Sequence, residues 1–492
     1  MAAVSPPSDV FFLGANPDNP DEQMYVEQKA RAVHAYVVGA SGAGKSKMLL
    51  DWILQDVMAG RGCCVIDPKG DLVWDVLAAI ASLDEGWWPS LASRVLLVDP
   101  SDARASVTVD PLEVRHGTSP ARQRQEVFSI FRKIWGLDDA RTPRMDLVLK
   151  RTLQLLIDAH LTLADIPRVL TDAAFRDRAL DAAQDPGLTG FWRSEFPSSE
   201  AQRFQWVSGL LTRIEGFLDD PALRTMFGTS GGGVDFRAAM DRGQVVLVNL
   251  SKGRVGEESG HLLGGFVTAM LQLAAESRQN VWPPERRRRF HIYCDEFHGY
   301  MVASSLREML AEARGYGVSL TIAHQNLSQL DGELRDSILA NTRIRVCFRV
   351  NHQDAETLSR ELFHVRGNRV KTKSLRFITL GKVPLPIGFD HTYYSHAEEG
   401  RQNRDALHRL PDRFFWVHLS DTNESIRLRT VHVPPFDRAV AEERVARFKA
   451  LLQRVAPPSI MTASRPLPRL SDPRRPGLYE WAPPRPPRRG GP

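Results

Sequence analysis

The sequence predicts an α/β fold, a mostly parallel sheet covered on both faces and carrying an inserted all-helical segment, and three observations predict it. The apolar run Ala35-Tyr-Val-Val38 passes into a glycine-rich stretch and then into Met48-Leu-Leu-x-Trp-Ile-Leu54, which reads as strand, turn and helix. Short β-branched or leucine runs recur between helical stretches, the pattern of strands buried on both faces. Between 117 and 228 those runs thin out and apolar residues recur at helical spacing, as at Met145, Leu149, Leu153 and Leu156.

Taken in order, residues 1–33 are a lead-in with one short strand, Val10–Leu13, between proline-bearing loops. Residues 34–116 form the first part of the core: the strand ending at Val38, then Cys63–Ile66 closed by Asp67-Pro-Lys-Gly-Asp-Leu72, then Val95–Val98 closed by Asp99-Pro100. Asp-Pro stops a strand, and a carboxylate at the carboxyl end of a parallel strand also stands beside the ligand crevice. Residues 117–228 are the helical insertion. Its cluster of Arg122, Arg124, Arg132, Lys133, Arg141, Arg144, Lys150 and Arg151 suits a nucleic-acid face or a solvated helix surface.

Residues 229–455 complete the core with strands at Gln244–Asn249, Phe290–Cys294, Val318–Ala323 and Arg343–Val350. Arg286 to Arg289 reads as an exposed connecting loop. Residues 456–492 are a disordered Pro/Arg-rich tail holding eleven of the 32 prolines and seven arginines against Asp472 and Glu480. That tail carries the whole formal charge of +5, so the body before it is neutral. Such an arm fits contact with DNA, an anionic membrane surface or a partner, and fits a solubilising tail equally.

A 42% hydrophobic and 25% charged balance over 492 residues is that of a globular chain of two or three domains. No apolar run of about 18 residues and no signal-peptide pattern occurs, which predicts a cytoplasmic protein, or one held at the membrane periphery by a partner. Cys63, Cys64, Cys294 and Cys347 lie in apolar strand-like runs without metal-ligand spacing and read as buried thiols.

The chemistry concentrates at strand ends. Gly39, Ala40, Ser41, Gly42, Ala43, Gly44, Lys45 and Ser46 make a Gly-x-x-x-x-Gly-Lys-Ser phosphate loop, with Lys47 next to it in the helix. Backbone N–H groups there converge on phosphate oxygens at a helix N-terminus, Lys45 reaches the β/γ-phosphates and Ser46 ligates magnesium, so ATP and Mg2+ are the expected cofactors. Phe290–Cys294 runs into Asp295-Glu296, as needed for an aspartate that holds the magnesium shell and a glutamate that activates water. The strand Val318–Ala323 ends in His324-Gln325, where Gln325 suits a γ-phosphate sensor or a strand cap, and His324 a cap. Arg314, near the end of the preceding helix, is placed to cap carbonyls or to project across a subunit boundary.

With these residues assembled, the chain from Val10 to about Pro435 resembles the conjugative type IV secretion coupling ATPases, the TraG/TraD-like branch of the HerA/FtsK superfamily. The matching segments are the phosphate loop preceded by His34, Ile66-Asp-Pro-Lys-Gly-Asp-Leu72, Pro143-Arg-Met145, Val246-Leu-Val-Asn-Leu-Ser-Lys-Gly253, Tyr293-Cys-Asp-Glu-Phe297, Glu312-Ala-Arg314, Ala323-His-Gln325, and Phe348-Arg349 with Asp354-Ala355. The resemblance implies a RecA-like P-loop NTPase core with an all-helical insert, assembled as a homo-hexameric ring around DNA and pumping it by ATP hydrolysis. It places Arg314 at the trans-acting finger position and Gln325 at the sensor position, and it implies a relaxase or a separate membrane or secretion partner. Members that dock on a secretion channel typically carry an N-terminal membrane anchor, and none is seen in this sequence. Two functions follow for comparison, a DNA translocase and an ATP-gated recruitment platform; the Asp295-Glu296 pair and Arg314 favour the hydrolysing motor.

Overall fold

The computed structural model describes residues 10–19, 22–102, 106–115, 117–137, 142–183, 185–230, 233–251, 253, 256–364, 369–380, 383–430 and 437–454. The predicted tail 456–492 and Arg141 lie outside them.

Among the described residues there are thirteen strands: β1 (Val10–Ala15), β2 (Gln23–Glu27), β3 (Ala35–Val38), β4 (Gly62–Asp67), β5 (Val95–Val98), β6 (Val245–Asn249), β7 (Phe290–Cys294), β8 (Val318–His324), β9 (Ile344–Cys347), β10 (Val370–Leu380), β11 (Val383–Tyr393), β12 (Phe414–Leu419) and β13 (Glu424–Arg429). Eleven form one sheet in the order β2-β1-β13-β12-β9-β3-β8-β7-β4-β6-β5. From β9 to β5 every pairing is parallel, and β12, β13, β1 and β2 extend the β9 edge in antiparallel fashion. The predicted strand over 343–350 is shorter than expected, four residues, because Phe348 and Arg349 leave the ladder to meet the turn after β3.

Both faces of the parallel part are buried, and the alternation of side chains along each strand sorts them into two cores. Tyr36, Val38, Cys64, Ile66, Val246, Val248, Ile292 and Cys294 face one core, while Ala35, Val37, Cys63, Val65, Val245, Leu247 and Tyr293 face the other. All four cysteines are therefore buried thiols. The second core is closed by the helices Lys45–Met58, Asp71–Ala81 and Arg438–Arg454.

The first core extends without a break into the helical segment, whose elements run from the helix Pro120–Trp135 to the helix Pro221–Phe227. The helix Glu257–Ser277 bridges them. A Cβ on Gly265 would meet Ile130 Cγ2 at 2.6 Å, and Phe266 stacks edge-on against Phe131 and Phe227 at 5.2 and 5.7 Å.

Several members of the basic cluster of this segment are engaged within the protein, and Arg144 and Lys150 stay exposed. Arg122 pairs with Glu126, Glu276 and Glu308 at 3.1, 3.1 and 2.8 Å, and Lys133 donates to the carbonyls of His298 and Met301. Arg132 pairs with Asp146, while Arg144, Lys150 and Arg151 lie over Trp206, Phe128 and Phe191. These cations fasten the helices to one another and to the sheet.

The sequence reading missed β2, β12, β13 and the hairpin of β10 and β11, whose two strands, among the described residues, pair only with each other.

Candidate functional site

β3 ends at Val38 between His324 of β8 and Cys347 of β9, so the turn that follows emerges at the carboxyl edge of the sheet. Neighbouring strands fix its path: Gly39 N–H donates to His324 O at 3.4 Å, Ala40 N–H to Arg349 O at 2.7 Å, and Arg413 N–H to Ala43 O at 2.8 Å. A Cβ on Gly39 would meet Phe348 Cβ at 2.5 Å. Gly44 has φ of 118° and a Cβ there would meet Arg413 Cα at 3.1 Å, so glycine is required on both counts. Phe348 and Arg349 lie in a segment the resemblance marked. Arg413, left-handed at φ 72°, carried no signal in the sequence.

The helix Lys45–Met58 begins on this turn, and its first backbone bond runs from Met48 N–H to Gly44 O at 3.1 Å. The N–H groups of Lys45, Ser46 and Lys47 therefore have no helical acceptor and point where an anion is favoured. Ser46 is exposed there. Lys45 is buried, with Nζ 2.5 Å from Gly39 O and 3.2 Å from Ala40 O. Burial pushes its ammonium below the ordinary lysine value, while Glu296 and Asp295 oppose that shift. The Lys47 ammonium is held by Asp75 at 2.6 Å, so what Lys47 offers a phosphate is its backbone N–H.

Across from the turn, Asp295 N–H donates to Ile66 O at 3.1 Å and the Tyr300 hydroxyl donates to Asp295 O at 3.1 Å. Burial, with Asp67 and Glu296 nearby, pushes the Asp295 carboxyl up to about 6, against the pull of Lys45 and Lys69. Glu296 has φ 44° and ψ 43°, a left-handed backbone uncommon for a residue other than glycine, and is buried. Its Oε1 accepts from Gln325 Nε2 at 2.6 Å and lies 3.4 Å from Lys69 Nζ. Its Oε2 is buried without a hydrogen bond, 3.8 Å from His298 Nδ1.

Asp67 and Lys69, for which the sequence suggested no individual role, now have places. Asp67 accepts from the N–H groups of Lys69, Leu72 and Val73 at 2.9, 2.7 and 3.1 Å, and so shapes the turn that presents Lys69 to Glu296. The adjacent strand ends are locked together as well, since Asn249 Nδ2 donates to Asp99 Oδ2 at 3.0 Å. His324 is fully buried with Nε2 2.6 Å from the Tyr36 hydroxyl, and burial lowers its imidazole to about 3, so it stays neutral. It is a core residue, where the sequence suggested a strand cap.

Lys45, Ser46, Asp295, Glu296 and Gln325 thus converge at one edge, and Arg314 does not join them. Arg314 lies in the 3-10 turn Ala313–Tyr316 before β8, exposed, at the amino edge. The seven residues of β8 separate it from Gln325, roughly 23 Å at the rise of a strand. His34 ties that turn to the start of β3: its Nδ1 accepts from Leu320 N–H at 3.0 Å and its Nε2 lies 3.1 Å from Leu310 O.

The residues fit the group that the motif implies. A helix start with three unpaired N–H groups, a buried lysine resting on the turn's own carbonyls and two buried acids, one with an orphaned oxygen, are what a magnesium-bound nucleoside triphosphate would satisfy. A phosphate loop on β3, an acid pair on β7 and a polar amide on β8 between them define a RecA-like P-loop NTPase core with a helical segment.

The family model described as the TraM recognition site of TraD and TraG matches residues 289–375. Among solved structures, the bacterial conjugative coupling protein TrwBdeltaN70 is similar at 17% identity and a TM-score of 0.58, over 89% of this chain and 91% of that one. TrwB in complex with ADP and Mg2+ is similar at 20% identity and 0.55, over 85% and 89%, and VirB4 of Thermoanaerobacter pseudethanolicus at 13% and 0.55, over 88% and 99%. At these identities the likeness is one of fold. A comparison with curated proteins gave no match. The resemblance to conjugative coupling ATPases of the TraG/TraD type is borne out by the family match over 289–375 and by the fold over most of the chain. Among the described residues no helix is long and apolar enough to cross a membrane.

Proposed function

We propose that this chain is an ATP-hydrolysing DNA translocase of the conjugative coupling type, working as a homo-hexameric ring with active sites shared between neighbours. The observation that carries the proposal is the separation of Arg314 from an otherwise complete site: the 2.6 Å contact of Gln325 with Glu296 aims a base at the phosphate loop of the same subunit, while Arg314 stands on the opposite edge. An arginine that cannot reach its own nucleotide is of catalytic use only to a neighbour.

ATP would be held by the N–H groups of residues 39–47 and by Lys45, and Ser46 with Asp295 would hold Mg2+. The ion neutralises charge on the phosphate oxygens when bound. Glu296 orients the attacking water and accepts its proton, Gln325 fixes the carboxylate, and Lys69 brings a cation to the oxygen that Gln325 holds. Arg314 of a neighbouring subunit would meet the charge that develops on the transferred phosphoryl group. The nucleotide-bound TrwB structures support the cofactor assignment, and the description of the matched family model supports a protein partner at 289–375 in addition to DNA.

Turnover measured with no DNA, with single strands and with duplex tests the reading. DNA should raise the rate. Nucleotide binding with no turnover under any of the three conditions would instead make the chain an ATP-gated recruitment platform.

A further inference from the structure

The hairpin of β10 and β11 stands apart from everything described so far. Two 11-residue strands pair with each other and, among the described residues, with no other strand, so they make a ribbon of roughly 35 Å outside the main sheet. A lone two-stranded ribbon gains little stability in water by itself, which makes its exposed face the place to look for a ligand.

The register defines that face. Val370 pairs with Tyr393, Lys373 with His391, and Leu375 with Phe389. Lys373 Nζ lies 4.2 Å from the Phe389 ring centroid, and the rings of His391 and Tyr393 stack at 6.4 Å with 29° between their planes. Phe389 and Tyr393 are 52% and 51% exposed. Residues 370–393 hold Lys371, Lys373, Arg376 and Lys382 against Asp390, a formal +3 within a body of no net charge. The root is fixed: Lys371 pairs with Glu398, and Phe363 packs edge-on against Trp416 at 4.9 Å. His364 lies 2.6 Å from Asn423 in the turn between β12 and β13, which sits at the amino edge of β9. The ribbon therefore leaves on the edge that carries Arg314.

We infer that this face binds single-stranded nucleic acid, with bases stacked on Phe389 and Tyr393 and phosphates met by Lys373. Exposed aromatic faces interleaved with cations suit unstacked bases, and duplex DNA hides its base faces. The inference rests on the proposed DNA-handling function and adds the strand state and the contact element. A neighbouring subunit is the competing occupant, but two stacked rings beside a lysine ammonium match a polyanion with π-faces better than a protein surface of no net charge.

Binding of a labelled oligothymidine and of a duplex is measured by anisotropy at several salt concentrations, on the full chain. Phe389→Ala and Tyr393→Ala should each lower single-strand affinity by about fivefold to about a hundredfold. Lys373→Gln should reduce the single-strand salt slope by about 0.7. Duplex affinity and thermal midpoint should hold. Unchanged single-strand affinity in Phe389→Ala/Tyr393→Ala, with wild type binding normally, overturns the inference alone. Failure of wild type to bind either DNA overturns the translocase reading with it. A loss of oligomeric mass in the double variant with single-strand affinity intact also overturns the inference and gives the face to a neighbouring subunit.

Discussion

Gln325 holds Glu296 by a hydrogen bond of 2.6 Å from Nε2 to Oε1, across two neighbouring parallel strands, and Lys69 reaches the same oxygen at 3.4 Å. The relationship aims a carboxylate whose backbone is left-handed and whose second oxygen lacks a hydrogen bond. Misplacing a catalytic group by about 1 Å costs on the order of a hundredfold. Gln325→Leu should therefore lower kcat by about 10- to 100-fold and leave nucleotide affinity within about threefold, as read by steady-state kinetics and a fluorescent nucleotide. A change confined to KM would place Gln325 in nucleotide binding.

Lys69 is half exposed, so its pair with Glu296 contributes at most about 1 kcal/mol to folding. Lys69→Met should accordingly shift the thermal midpoint little while changing turnover. A large drop in midpoint with turnover intact would make Lys69 a structural residue.

Lys45 is buried over its own turn and its ammonium is destabilised by burial, so it serves a ligand rather than packing. Lys45→Ala should abolish hydrolysis and leave the ligand-free midpoint unchanged or higher. Wild type at a hundredfold excess of nucleotide over Kd should gain about 2.7 kcal/mol, which the variant should lose.

The Asp295 carboxyl rises from 3.8 to about 6 in the folded chain, mainly by burial. A carboxyl held above its unfolded value favours folding while protonated, and that contribution fades as pH climbs from about 4 through about 6. Above that range the ionised group costs the ligand-free protein on the order of 3 kcal/mol. Asp295→Asn should be more stable than wild type at pH 7.5 by that order and nearly equal to it at pH 4, by denaturant titration. Equal stability at both pH values would contradict the account.

The site's linear motifs were legible in the sequence because each sits where a strand buried on both faces stops, and such strands are near-continuous apolar runs. β5 and β7 match their expected limits for that reason. Of the strands at the antiparallel edge, Glu424–Arg429 is two-thirds polar and gave no apolar run to read, while β12, an apolar run, was passed over. The hairpin mixes threonine, lysine and proline with apolar residues, and the sequence reading assigned no strand there. Within the site, Lys69 and Arg413 act through contacts with Glu296 and Ala43, 227 residues distant in the first case and farther in the second, which spacing along the chain does not encode. The ion pairs of Arg122 were not legible for the same cause, since Glu276 and Glu308 are remote from it in sequence.

The central claim is that one subunit's base works with its neighbour's arginine, and mixing tests it most directly. Glu296→Gln should bind ATP and retain it, and Arg314→Ala should bind it normally, each with turnover reduced by about 10³- to 10⁵-fold for the missing finger or comparably for the missing base. Mixed and allowed to exchange with DNA present, the two inactive variants should recover measurable ATPase activity, because some interfaces pair an intact Glu296 with an intact Arg314. A monomer that hydrolyses ATP at the full rate at every protein concentration, with DNA present, would contradict the account, since no neighbour would then supply the arginine.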